Sequence, residues 1–113
     1  MTRDELKAEM DAGKVVVVDT MPTAYYGQEH LPGAVNIPGF PYDDAARFTD
    51  ELAPTVLPDR TAPIVVYCAN VPCRNSEIVG SRLVSLGYTN VRKYREGIED
   101  WVAHGLPTQT ATG

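Results

Sequence analysis

One stretch limits what this chain can fold into more than any other: Ile64-Val65-Val66-Tyr67-Cys68-Ala69-Asn70-Val71-Pro72-Cys73-Arg74-Asn75-Ser76. Its first four residues form an apolar, β-branched run of strand length, which belongs inside a sheet. Cys68 follows at once, where a strand leaving the carboxyl edge of a parallel sheet opens into a functional loop. From Ser76 the pattern turns helical, with Val79, Leu83 and Leu86 on one face and Gly87 as the stop. Asn75 or Ser76 is the expected N-cap of that helix, whose first-turn amides then point back toward the loop.

Such a loop is an anion site built around a thiol. Helix-end amides favour negative charge nearby, and Arg74 adds a positive charge that does not titrate away. A cysteine so placed is expected to ionise below its free value of about 8.5 and to act as a nucleophile at neutral pH. The alternative is a small buried cysteine that merely ends a strand. The candidate nucleophile is therefore Cys68, with Ala69, Asn70, Val71, Cys73 and Arg74 as the cradle for its substrate.

The rest of the chain reads as alternating helices and strands. Thr2 and Glu5 form a capping box for a first helix carrying Leu6 and Met10, which Gly13 ends. Val15-Val16-Val17-Val18 is unbroken, as in a strand covered on both faces, and Asp19 closes it in a structural role, bonding turn amides. Pro22 to Gln28 predicts a short helix, and His30 to Pro38 a turn and brief strand in which His30 fixes backbone. A helix is expected over 42–52, broken by Pro54 and Pro58. Val91 to Tyr94 supplies a further strand, and Gly97 to His104 a last helix with Ile98 and Trp101 inward. The tail from Thr108 is small and polar and is predicted to fray. This is the pattern of a compact α/β domain with a central, mostly parallel sheet flanked by helices.

Composition narrows the chemistry. A chain of 113 residues, 43% hydrophobic and 22% charged, suits one domain with one core. Its net charge of −5 disfavours nucleic acid or an anionic membrane as partner, so an anionic substrate is drawn locally, by the loop. No apolar run approaches the roughly 18 residues that span a bilayer. The start, Met1 to Leu6, has no apolar leader core, and a cytoplasmic setting is the expectation. His30 and His104 are isolated, so neither a metal site nor a cofactor is expected. Two cysteines without a leader read as chemistry rather than a disulfide framework. Cys73 is either a second thiol that resolves an intermediate on Cys68 or a small residue filling the loop.

Four blocks in order resemble the single-domain rhodanese family of sulfurtransferases, from near residue 3 to Pro107, which sets the expected domain at 1–107 with 108–113 as tail. Val15 to Asp19 is similar to that family's first buried strand, His30 to Pro38 to its signature turn, and Ile64 to Cys68 to the strand bearing its catalytic cysteine. Leu86 to Val91, Glu96 to Trp101 and Gly105-Leu106-Pro107 are similar to its C-terminal signature. The resemblance implies a three-layer fold and a Cys68 thiolate that takes a sulfane sulfur from a small anionic donor such as thiosulfate, becoming a persulfide. The sulfur then passes to cyanide, a thiol or a protein acceptor.

The resemblance has departures. Five residues separate Cys68 from Arg74, one more than the family's usual loop. This C-x5-R spacing resembles the phosphatases and arsenate reductases of the same fold, although those carry histidine where Tyr67 stands, and Pro72 removes an amide donor. A rhodanese subgroup resembles this chain in its second loop cysteine. Met21 stands where the family has arginine, Glu29 where it has glycine before the signature histidine, and Glu96 where it has the first glycine of a pair. The alternatives to sulfur transfer are thus a C-x5-R hydrolase or reductase and a binding module without turnover. Oligomeric state stays open.

Overall fold

Inner strands without a polar face require a layer of helices on each side of their sheet, and the computed structural model, which describes residues 1–110, has that arrangement. In chain order the elements are α1 (Arg3–Asp11), β1 (Val16–Asp19), α2 (Thr23–Gln28), β2 (Val35–Asn36), α3 (Tyr42–Val56), β3 (Ile64–Tyr67), α4 (Asn75–Ser85), β4 (Val91–Tyr94) and α5 (Gly97–Ala103). The four strands pair in the order β2-β1-β3-β4, all parallel. The expected α/β class with a parallel central sheet is what the chain forms.

Strand alternation divides the core between the two faces. Val18, Ile64 and Val66 point to one side, where they meet Ala53 and Leu57 at the end of α3 and Val79 and Leu83 of α4. Val17, Val65, Tyr67 and Tyr94 point to the other, against Leu6 of α1, Leu31, and Trp101 of α5. Trp101 packs edge-on to Tyr94 and donates its indole N–H to Pro107 O at 2.8 Å. Each wholly buried aliphatic side chain here contributes about 1.5–3 kcal/mol of transfer free energy. The Thr2–Glu5 capping box forms as expected, with both reciprocal bonds present.

Two expectations need correction. The helix predicted over 42–52 runs on through Pro54 to Val56. Proline forfeits only its own bond to the exposed Asp50 carbonyl, while the following turn is held from outside. Tyr88 donates its hydroxyl to Leu57 O at 2.6 Å and approaches Ala53 O at 3.2 Å, and Leu57 N–H closes on Ala53 O. Tertiary bonds thus override the local breaker. The tail expected to fray from Thr108 is tied down as far as the structure describes it. Gln109 exchanges both backbone bonds with His30 and accepts from Gly33 N–H, and Thr108 donates to Glu29. Residues 111–113 lie outside the described residues.

Candidate active site

β1 and β3 run side by side with Asp19 opposite Tyr67, so their exits from the sheet are neighbours. On the β1 side a buried network fixes the chain. The Tyr67 hydroxyl accepts Leu31 N–H at 3.0 Å and donates to Asp19 Oδ2 at 2.6 Å, while Asp19 Oδ1 takes Met21 N–H at 2.7 Å. Burial holds the Asp19 carboxyl above the usual range, against the pull of those two donors. Burial likewise pushes the Tyr67 phenol up, with the Asp19 charge adding to it. Asp19 is structural here, as its strand-end position predicts, and His30 likewise fixes backbone, its Nδ1 donating to Tyr26 O at 2.8 Å beneath the Tyr26 ring.

Cys68 lies one residue past Tyr67 and is 2% exposed. Its sulfur is bonded to that of Cys73, with Cα atoms 6.2 Å apart. The chain between them doubles back through Asn70 to Cys73, where Cys73 N–H reaches Asn70 O at 3.3 Å. Five residues fully extended would span roughly 17 Å, so this reversal is what makes the two sulfurs meet. Cys68 Sγ also touches Met21 Sδ at 3.6 Å, an uncharged, polarisable neighbour.

The loop is gripped from outside by α5. Ile98 and Glu99 donate their backbone N–H groups to Cys68 O and Ala69 O, both at 3.0 Å, and Asn70 donates its side-chain amide to Glu99 Oε2 at 3.0 Å. Two carbonyls aimed at α5 turn the amides of Ala69 and Asn70 the opposite way, because each peptide is planar and trans. Among the described residues neither amide donates to a backbone carbonyl. The close approach demands glycine at position 97: a Cβ there would lie 2.5 Å from Cys68 O and 2.6 Å from Ala69 C and O, and φ is +74°.

The expected caps of α4 do not form. Arg74 is its N-cap, without a side-chain cap bond. Asn75 instead donates to Thr20 O at 2.9 Å, and Ser76 Oγ is buried without a partner among the described residues. A Cβ on Gly39 would lie 2.7 Å from Asn75 Cβ, so the loop after β2 packs hard on this side chain and claims it for tertiary bonding. The first turn of α4 is left uncapped, its positive end facing the loop it follows. The Arg74 side chain, 67% exposed, pairs with Glu77 at 3.7 Å rather than turning to the sulfurs.

Of the residues singled out in the sequence, the structure brings Cys68 and Cys73 together and places Ala69, Asn70 and Val71 as the arch between them. It leaves the Arg74 guanidinium on its own helix. Beside the arch lies a cleft of about 530 Å³ between Met21, Tyr25, Gln28 and Glu29 on one side and Ala69, Ile98 and Glu99 on the other. A second cleft of about 510 Å³, among Met1, Arg3, Arg95 and Asp100, contains no residue of the loop. The contributions of Glu99 and Ile98 escaped sequence reasoning; Gly97, one residue before them in a glycine-led helix start, was the available signal. Among the described residues no three His, Cys, Asp or Glu side chains gather to hold a metal.

This arrangement suits a sulfur nucleophile. Cys68 stands at a sheet edge near an uncapped helix end and two amides that make no bond to a backbone carbonyl among the described residues, a setting that favours negative charge on sulfur.

A family model described as Rhodanese-like domain matches residues 2–104. An HTH-type transcriptional regulator of Mycobacterium tuberculosis is 34% identical over 107 residues, covering 95% of this chain but 43% of the regulator. The chain thus spans less than half the length of that relative. A thiosulfate:glutathione sulfurtransferase of Saccharomyces cerevisiae is 32% identical over 98 residues, covering 80% of this chain and 67% of the yeast protein. Among solved structures, a rhodanese with anions from E. coli superposes with a TM-score of 0.66 at 28% identity, covering 86% of this chain and 99% of the other.

Proposed function

This chain belongs to the rhodanese-like domain family, and from that membership we propose that it is a sulfurtransferase working through a Cys68 persulfide. The Cys68 thiolate attacks the outer sulfur of thiosulfate, or of a persulfide donor, and releases sulfite or a thiol. The bound sulfur is then handed to a thiophilic acceptor: cyanide, a low-molecular-weight thiol or a protein cysteine. No metal or cofactor takes part. A cytoplasmic setting, where reduced thiols are maintained, suits both Cys68 and its acceptor.

The observation that carries this reading is the position of Cys68. It stands at the carboxyl end of a central strand, at the foot of an arch whose Ala69 and Asn70 amides turn away from the α5 grip. Its uncharged Met21 neighbour adds polarisability rather than a competing proton donor. The matching sulfurtransferase of yeast extends the same reading by analogy.

The C-x5-R spacing favours a second reading, hydrolysis or reduction of a tetrahedral oxyanion. Against it stand Pro72, which withdraws one amide from the arch, and the engagement of Arg74 with Glu77.

Intact mass after incubation of reduced protein with thiosulfate tests the first reading. The Cys73→Ser variant, in which nothing within the loop can displace the sulfur, is expected to gain about 32 mass units, reversed by cyanide and absent when Cys68 is also serine. No gain, with Cys68 open to alkylation, would end the proposal, and turnover of an aryl phosphate by the same protein would put the second reading in its place.

A further inference from the structure

Cys73 takes no part in the transfer just described, yet its sulfur is the atom bonded to Cys68 Sγ. Resting on the sulfur-transfer reading, we infer that Cys73 is a resolving thiol: it discharges the Cys68 persulfide as sulfide and makes the protein a thiol-dependent, sulfide-releasing reductase of sulfane sulfur.

A persulfide offers two electrophilic sulfurs. Attack on the outer one passes sulfur to an acceptor; attack on the inner one expels sulfide. The bond between Cys68 and Cys73 runs to the inner atom, Cys68 Sγ itself, so the arch brings Cys73 to the sulfur whose attack releases sulfide. Access points the same way. Cys68 is 2% exposed under its own loop and lines none of the cleft beside the arch, so an external thiol reaches it poorly, whereas Cys73 is delivered by the reversal at Asn70. An intramolecular partner so held outcompetes a dilute one by its effective concentration.

The step balances. Thiosulfate and the Cys68 thiol give the Cys68 persulfide and sulfite. The Cys73 sulfur then forms a bond to Cys68 Sγ, the bond from Cys68 Sγ to the outer sulfur breaks, and that sulfur leaves with its own proton and the one lost by Cys73, as hydrogen sulfide. The sulfane sulfur is reduced by two electrons, and the two cysteines are oxidised to the disulfide. Two equivalents of a low-molecular-weight thiol, or one protein dithiol, reduce the disulfide and reset the site, leaving as their own disulfide.

The structure is thus that of the spent state, and its bonding shows how that state is kept in register. α5 holds Cys68 O and Ala69 O through Ile98 and Glu99, and Glu99 also holds the Asn70 side chain. The half of the arch that carries Cys68 is anchored. The half that carries Cys73 has the single backbone bond to Asn70 O, and Val71 and Pro72 at its crown are exposed. Breaking the disulfide therefore frees Cys73 to swing while Cys68 stays in place to receive the next sulfur.

The test is a single turnover. Reduced wild type, Cys73→Ser and Cys73→Ala, each freed of thiol and kept anaerobic, receive excess thiosulfate, and released sulfide and non-reduced intact mass are followed together. Wild type is expected to release about one sulfide per chain and to end about two mass units below the reduced protein, while both variants hold a gain of about 32 units and release sulfide only when thiol is added. Wild type that keeps the added sulfur as long as the variants do, with no sulfide freed, overturns the inference and leaves sulfur transfer standing. Variants that fold, by circular dichroism, but never gain sulfur overturn both.

Discussion

β1 and β3 are neighbours in register, and each leaves the sheet at the same level, yet their exits are held by opposite means. After β1 the chain is fixed from within: Asp19, Tyr67 and Met21 satisfy one another in a buried network. After β3 the chain arches outward and is fixed from without, by two backbone bonds to α5 and by a covalent bond between its own ends. The first exit is locked by bonds among its own buried groups. The second can lose its internal bond and keep its external ones. A rigid wall beside a convertible loop is what the proposed sulfur transfer calls for, since there the nucleophile is placed while its partner moves.

The largest test of this contrast removes the external grip. Gly97→Ala sets a Cβ against the carbonyls that α5 holds and forces a side chain to positive φ, and a loss of about 3 kcal/mol is expected in urea denaturation. Sulfur loading on Cys68 is expected to fall with it. Full retention of both would show that α5 does not position the loop.

Tyr67→Phe breaks the rigid side instead. It strips a donor from buried Asp19 and an acceptor from Leu31 N–H, at a cost of about 2.5 kcal/mol. The loss has a pH signature. The folded pKa of Asp19 is raised by burial, so its contribution to stability is complete below the ordinary carboxyl value and is lost as pH rises through the raised one. Removing the Tyr67 hydroxyl, which draws Asp19 downward, pushes the carboxyl further up and extends that loss. The Tm difference between wild type and variant is expected to widen from acid toward neutral pH; a constant difference would mean that Asp19 does not titrate against Tyr67.

Reduction of the Cys68–Cys73 bond should register on one side alone. Closing so short a loop stabilises by about 2 kcal/mol in the chain-entropy account. Amide exchange is expected to quicken over Ala69–Cys73 and stay unchanged over Val17–Met21. Equal quickening would erase the distinction between the exits. Smallest is Arg74→Ala. Its charge is exposed and already paired with Glu77, and a rise in KM for thiosulfate of about twofold to fivefold is expected from steady-state rates; a hundredfold rise would place the guanidinium on the substrate.

What the sequence disclosed and what it hid follow the same division. The Val15 to Val18 and Ile64 to Tyr67 runs announce buried parallel strands because a strand without a polar face has no other home. Cys68 at the end of one of them is legible for the same reason, and so is the Thr2 capping box, which is complete within four residues. What stayed hidden depends on partners far along the chain. α3 passes Pro54 because Tyr88, thirty-five residues from Ala53, supplies the bonds that a local reading assigns to no one. Asn75 looks like a cap and is taken by Thr20 O from the loop after β1. The tail looks ready to fray and is pinned by His30. The pairing of Cys68 with Cys73 stayed open for the same reason. Spacing places two thiols near each other, but only the turn at Asn70 brings their sulfurs into contact.

Trp101 is the chain's single tryptophan, and it rides on α5, the helix whose first amides hold the Cys68 arch. Its indole is held edge-on to Tyr94, within the core cluster that includes Leu31 and Leu6, and through its N–H to Pro107 O. Whatever the sulfur state of the loop does to α5 is therefore written into one emitter, with no second tryptophan to dilute the signal and no label to attach. The molecule carries its own optical gauge, against which the reduced and bridged forms, and the sulfur-laden form proposed above, can be compared by the colour and polarisation of its light.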